Sequence, residues 1–345
     1  MPRLKRVDPS DVGIGRRRRG RGFEYLTPDG GRMTDPHVIA RIKSLVIPPA
    51  WRDVWICPHP MGHIQATGID DAGRKQYRYH DRWRQRRDQE KFDSMIDFAH
   101  ALPAMRKRVA KDLRRDGMGS ERVLACAVRL LERGFFRIGG EEYAAGNDSY
   151  GLATMLKRHV TIDGDRLTFD YPAKSGQQRV RSMVDRELVE IVGRLRRRQQ
   201  GRELLAYKRG GRWEDVKSED INAYVKAVTG SDFTAKDFRT WNATVLAAVA
   251  LAVSGPAAEN KTQRERAIRR AIEEVAFYLG NTPAVARSSY IDPRVFDRYR
   301  SGLTIGGVLG EVADDPDLGG LHELVEDAVL DLIVDRESEA IEKVA

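Results

Sequence analysis

The chain has 345 residues, of which 41% are hydrophobic and 32% charged, enough for two domains with a real core. No run of about 18 apolar residues is present to span a bilayer, and the arginine-rich start has no apolar segment behind it. Cys57 and Cys126 lack partners at metal-ligand spacing, so neither a disulfide nor a zinc site is expected, in keeping with a reducing cytoplasm.

The first 90 or so residues predict short strands at Phe23–Leu26, Val54–Cys57, His63–Thr67 and Gln76–Tyr79, punctuated by Gly and Pro pairs. Asp35 followed by Pro36 predicts a capped helix whose apolar face is Val38, Ile39, Ile42 and Leu45. Arg16 to Arg19 read as part of a disordered basic arm. Beyond the charged stretch Trp83–Lys91 the pattern turns helical, and the helix through Val123–Arg133 leads to Arg137. Three short strands follow between His159 and Val184, and Lys174 falls in the loop between the second and third. Helices resume after Asp185, among them the very apolar Ala243–Val253 and the amphipathic Lys261–Leu279, and Tyr290 comes a short Thr-Pro segment later.

Twelve acidic residues against Arg336 and Lys343 give residues 301–345 a net charge of −10, which leaves +19 on residues 1–300 of the overall +9. So basic a body points to a polyanionic partner. Leu321, Leu324, Val325, Ala328, Leu332 and Ile333 predict an amphipathic helix in the acidic end, entered through Asp314–Asp317. The expected fold is α+β: a basic disordered arm (1–22), a small β-rich domain (23–90), a larger, mainly helical catalytic domain with a small antiparallel sheet (91–300), and an acidic helical extension (301–345).

Arg137, Lys174, Arg239 and Tyr290 form a chemically coherent set. A phosphodiester resists attack because its oxygens are negative and become more so in the transition state, and two fixed guanidiniums answer this with planar forks of donors. A departing sugar oxygen needs a proton, which a lysine can supply. A tyrosine nucleophile forms a phosphoester in exchange for a phosphoester, so resealing needs no ATP.

The motifs around these residues are Gly73-Arg74-Lys75-Gln76-Tyr77-Arg78-Tyr79-His80, Phe136-Arg137-Ile138-Gly139, Gly151-Leu152-Ala153-Thr154, Lys174-Ser175-Gly176, Phe233-Thr234-Ala235-Lys236-Asp237-Phe238-Arg239-Thr240-Trp241, and Leu279-Gly280-Asn281-Thr282 with Tyr290 downstream. In this order the chain resembles the type IB DNA topoisomerases, particularly the small bacterial and poxvirus-like members, from Phe23 to about Tyr299. The resemblance implies that Tyr290 becomes joined to the 3′ phosphate, that Arg137 and Arg239 hold the nonbridging oxygens, and that Lys174 protonates the leaving 5′ oxygen. It assigns Asn281 a neutral hydrogen bond where poxvirus members have histidine, and Lys236 a supporting contact to the phosphate. Ala173 stands where the family commonly has glycine. Gln76, Tyr77, Tyr79 and Tyr143 are assigned to the duplex.

The expected protein is a monomer in the cytoplasm, associated with the nucleoid, whose partner is duplex DNA and which uses no cofactor, metal or membrane. A site-specific tyrosine recombinase uses similar chemistry, but typically carries His-x-x-Arg where this chain has Lys236-Asp237-Phe238-Arg239. A nucleic-acid-binding protein without catalysis would explain the charge and leave the Lys174 loop and Tyr290 unexplained.

Overall fold

The computed structural model describes residues 3–141, 144, 146, 148–255, 260–309 and 318–343. The chain divides between Phe92 and Asp93 into two compact units. Among the described residues no helix is long and apolar enough to cross a membrane, and Cys57 and Cys126 are buried free thiols.

The first unit is built on an antiparallel sheet of β1 (Ile14–Arg19), β2 (Gly22–Leu26), β3 (Arg52–Ile56), β4 (Ile64–Ile69) and β5 (Lys75–Tyr79), in the order β2-β1-β3-β4-β5. Helix α1 (Pro36–Ser44) starts as expected, with the Asp35 carboxylate accepting from the amides of His37 at 2.8 Å and Val38 at 3.3 Å. Its Ile42, with Val38 and Leu45, packs on Ile14, Val54, Ile56 and Ala66 from the sheet.

Strand β1 corrects one expectation. Arg16 to Arg19 are not a disordered arm but a strand paired with β2 in register Arg16↔Tyr25 through Arg19↔Gly22. Their charges have local partners: Arg17 bonds Glu24 at 2.7 Å, while Arg16 donates to the carbonyls of Pro48 at 3.0 Å and Trp51 at 2.6 Å and lies 4.2 Å above the Phe23 ring. A glutamate opposite and an aromatic face offset the repulsion that an uninterrupted arginine run would otherwise carry.

Helix α2 (Asp81–Leu113) contains the division between the units. The second unit continues with α3 (Ser120–Gly134), the antiparallel sheet β6 (Val160–Asp163), β7 (Arg166–Pro172) and β8 (Gln178–Val184), then α4 (Arg186–Arg197), the hairpin β9 (Ala206–Arg209) and β10 (Arg212–Asp215), and α5 (Ser218–Thr229). Next come α6 (Ala235–Ser254), α7 (Lys261–Leu279), α8 (Pro283–Ser289), α9 (Pro293–Arg300), β11 (Leu303–Thr304), α10 (Leu318–Val334) and β12 (Glu342–Lys343), which pairs with β11.

Helix α6 is the central element, packed against α3, α5, α7, α9 and α10. Its start is fixed by a capping box in which the Asp237 carboxylate accepts from the Thr234 amide at 2.8 Å and the Thr234 hydroxyl accepts from the Lys236 amide at 3.3 Å. Phe238 and Trp241 are fully buried, and Phe238 meets Phe98 edge to face.

The acidic carboxyl end is no appendage. Helix α10 buries Val325, Ala328, Val329, Leu332 and Ile333, together with the charged Glu326. That carboxylate accepts from both terminal nitrogens of Arg106, at 2.7 and 2.9 Å, and from the Trp241 indole at 2.9 Å. A second buried-side partner of Arg106 is Glu132, at 2.5 Å. The turn expected at Asp314–Asp317 lies outside the described residues.

Candidate active site

The fold of the second unit brings Arg137, Arg239, Asn281 and Tyr290 together at the C-terminal end of α7. Arg137 reaches it because α3 ends in a left-handed residue, Phe135 at φ +55°, a conformation unusual for a side chain of that size. The turn sends Phe136 into the core against Phe169 and leaves Arg137 half-buried at the site.

Arg239 comes from the first turns of α6 and is only 5% exposed. Its two terminal nitrogens donate to the carbonyls of Phe135 and Leu279, both at 2.8 Å. Arg137 Nη2 donates to the Gly280 carbonyl at 2.9 Å and to Asn281 Oδ1 at 2.5 Å. These acceptors are among those a helix end leaves unsatisfied, so the orientation of both guanidiniums follows from ordinary helix termination. The turn itself is a Schellman motif: the Asn281 amide donates to Ala276 and the Gly280 amide to Phe277, with Gly280 at φ +65°.

Tyr290 follows α8, whose first turn is set by the Thr282 hydroxyl accepting from the Val285 amide and by Pro283. The Tyr290 carbonyl accepts from the Thr244 hydroxyl at 3.4 Å, so α6 references both Arg239 and the tyrosine. The Arg239 guanidinium lies 5.3 Å from the centre of the Tyr290 ring.

Burial alone would raise the Tyr290 phenol, but the charges of Arg239, Arg137 and Lys236 outweigh it and hold the phenol below its ordinary value. Burial, followed by repulsion from Arg137, pulls Arg239 down to about 10, which leaves it charged at neutral pH. The arrangement can hold a tetrahedral anion beside an activated phenol.

Lys236 is exposed at the start of α6 and acts on Tyr290 through its charge. Lys174 opens a single 3₁₀ turn, Lys174–Gly176, between β7 and β8, and among the described residues it makes no hydrogen bond or ion pair. Ala173 fits this turn without strain, since its φ of −109° is open to any residue and the left-handed position falls on Gly176 at φ +68°. The Ala173 amide donates to the Gln177 carbonyl at 2.8 Å, closing the turn.

In the first unit, Tyr77 and Tyr79 share one exposed face of β5 and stack with ring centres 5.9 Å apart. The Gln76 side chain donates to Asp70 at 2.9 Å. Tyr143 lies outside the described residues. Sequence reasoning passed over Arg179 and Arg181, whose side chains also reach the end of α7; no local signal marked them, because alternation along β8 would set Val180 and Val184, not the arginines, toward the inside.

Residues 80–303 match the family model of the eukaryotic DNA topoisomerase I catalytic core, and residues 22–70 match that of the bacterial DNA topoisomerase IB N-terminal domain. A DNA topoisomerase 1B of Acanthamoeba polyphaga mimivirus is 30% identical over 295 residues, covering 84% of this chain and 88% of the viral protein. Matches of that extent, on a chain whose second unit gathers two arginines around a tyrosine, place it: the chain belongs to the type IB DNA topoisomerases.

Proposed function

We propose that this topoisomerase relaxes supercoiled duplex DNA by cutting and resealing one strand through Tyr290. The phenol oxygen attacks the scissile phosphorus as its own proton leaves to solvent. The new bond joins Tyr290 to the 3′ phosphate, and the bond to the 5′ oxygen breaks with its electron pair. That oxygen takes a proton from Lys174 and departs as a hydroxyl. The reverse sequence reseals the strand, and because one phosphoester is exchanged for another, neither ATP nor an obligatory metal is needed.

The observation that carries this reading is the convergence of Arg239, Arg137 and Lys236 on Tyr290, with the phenol held below its ordinary value. Arg137 and Arg239 each keep N–H groups beyond those given to backbone carbonyls, and these would bind the nonbridging oxygens. Asn281 gives its oxygen to Arg137 while its buried Nδ2 has no partner among the described residues, which suits a donor kept for a phosphate oxygen. Lys236 supports the same phosphate by charge.

Gln76, Tyr77, Tyr79 and Tyr143 contact the duplex, the stacked tyrosine pair offering aromatic surface beside Lys75 and Arg78. The enzyme works as a monomer on DNA in the cytoplasm, associated with the nucleoid. The experiment is to trap the covalent adduct on a nicked duplex and map it by peptide mass spectrometry. Attachment of the 3′ phosphate to Tyr290 supports the reading; a 5′ linkage, or attachment to another residue, refutes it.

A further inference from the structure

Strand β8 faces the wrong way for a surface strand. Val180 and Val184 are 56% and 60% exposed, while Arg179 and Arg181 turn inward on the face of buried Phe169 and Tyr171, their cross-strand partners on β7. Turning the valines in would remove apolar surface from water, so something else holds this orientation.

What holds it is the end of α7. Arg179 Nη1 donates to the Phe277 carbonyl at 2.9 Å, and Arg181 Nη2 donates to the Tyr278 carbonyl. The next two carbonyls, Leu279 and Gly280, are those held by Arg239 and Arg137. Four consecutive carbonyls of one helix end are thus held by four arginines from three parts of the chain, where the negative end of the helix dipole favours cations. Buried Tyr171 sits in the field of all four.

The fit is close. Gly280 lies in the left-handed region, and a Cβ there would come within 2.2 Å of Arg179 Nη2. Arg179 also donates to the Gln177 side chain at 2.9 Å, within the turn that carries Lys174. Lys174 has no tether of its own among the described residues, so the position of its ammonium follows from how the β7–β8 hairpin is anchored.

We propose that Arg179 and Arg181 are positioning residues that tie the Lys174 hairpin to the C-terminal end of α7 and so deliver the general acid to the leaving oxygen. The proposal rests on the reading of Lys174 as that acid. The arginines touch neither reacting atom in this account; they fix the distance over which the Lys174 proton passes to the 5′ oxygen as its bond to phosphorus breaks.

The test is single-turnover cleavage of a nicked duplex by the full chain, with either oxygen or sulfur bridging the scissile phosphorus to the 5′ carbon. A thiolate leaves without protonation, since a thiol has a pKa of about 8.5. Arg179→Ala/Arg181→Ala should lose about tenfold or more on the oxygen substrate, a share of the 10²–10⁴-fold that general acid catalysis supplies. It should regain the wild-type rate on sulfur. Equal loss on both substrates, as misfolding or a damaged clamp would give, overturns the proposal, as does no loss on either. Lys174→Ala run alongside separates the two claims: if sulfur fails to rescue it, the general-acid reading falls and the proposal falls with it; if sulfur rescues Lys174→Ala but not the arginine variant, only the positioning proposal falls.

Discussion

Glu326→Ala should unfold the second unit well before wild type, although the residue lies in the acidic carboxyl end. Glu326 is 5% exposed and takes two bonds from Arg106 and one from the Trp241 indole. Removing one member of a buried ion pair costs about 3–5 kcal/mol; Glu132 still faces Arg106 and holds that part of the loss down, while the orphaned indole N–H adds to it. For a unit of this size each kcal/mol lowers Tm by about 2–4 °C, which gives a fall of about 6–20 °C. Circular dichroism melting reads it, with the half-exposed Leu324→Ala as a surface control expected to stay within about 0.5 kcal/mol of wild type. A Glu326→Ala melt indistinguishable from that control would refute the claim that α10 is integral to the unit. Trp241 lies two residues beyond Arg239 on α6, so truncation after Gly302 is expected to strip core from that helix.

Two predictions concern the site itself. The single-turnover cleavage rate should rise with pH and level off below the ordinary tyrosine value of about 10, because nearby cations favour the phenolate. Lys236→Met removes one of those cations, so the phenol should titrate at higher pH and the plateau should move up; an unchanged or lowered midpoint would contradict the electrostatic account. Ultraviolet difference titration against Tyr290→Phe isolates the same group among the 11 tyrosines. Arg239→Lys keeps the charge but not the fork that spans the Phe135 and Leu279 carbonyls, so kcat should fall by about 10²–10³-fold. DNA affinity, spread over many phosphates, should barely change; weakened binding with intact turnover would place Arg239 outside the reacting centre.

The proposed reacting groups could be named from the sequence because their chemistry needs particular residue types, and the motif order supplied the rest. The capped start of α1, the three strands around Lys174 and the buried face of α7 at Ile268, Ile272, Val275 and Leu279 were legible from local pattern. What was not legible depends on pairing across the fold. Arg16 to Arg19 looked disordered because their partner Glu24 and the carbonyls of Pro48 and Trp51 meet them only once the sheet forms. The acidic end looked like a separate extension because charge counting hides Glu326, which is acidic and buried together. Arg179 and Arg181 were invisible because alternation along β8 assigns the valines, not the arginines, to the inside.

The most direct test is relaxation of a supercoiled plasmid by the purified protein in excess EDTA without ATP, run beside Tyr290→Phe. Wild type should relax the plasmid and the variant should not, with DNA binding retained by both. Relaxation by Tyr290→Phe would contradict the assignment of the nucleophile, and a wild-type enzyme that relaxes only with added ATP or metal would contradict the proposed chemistry.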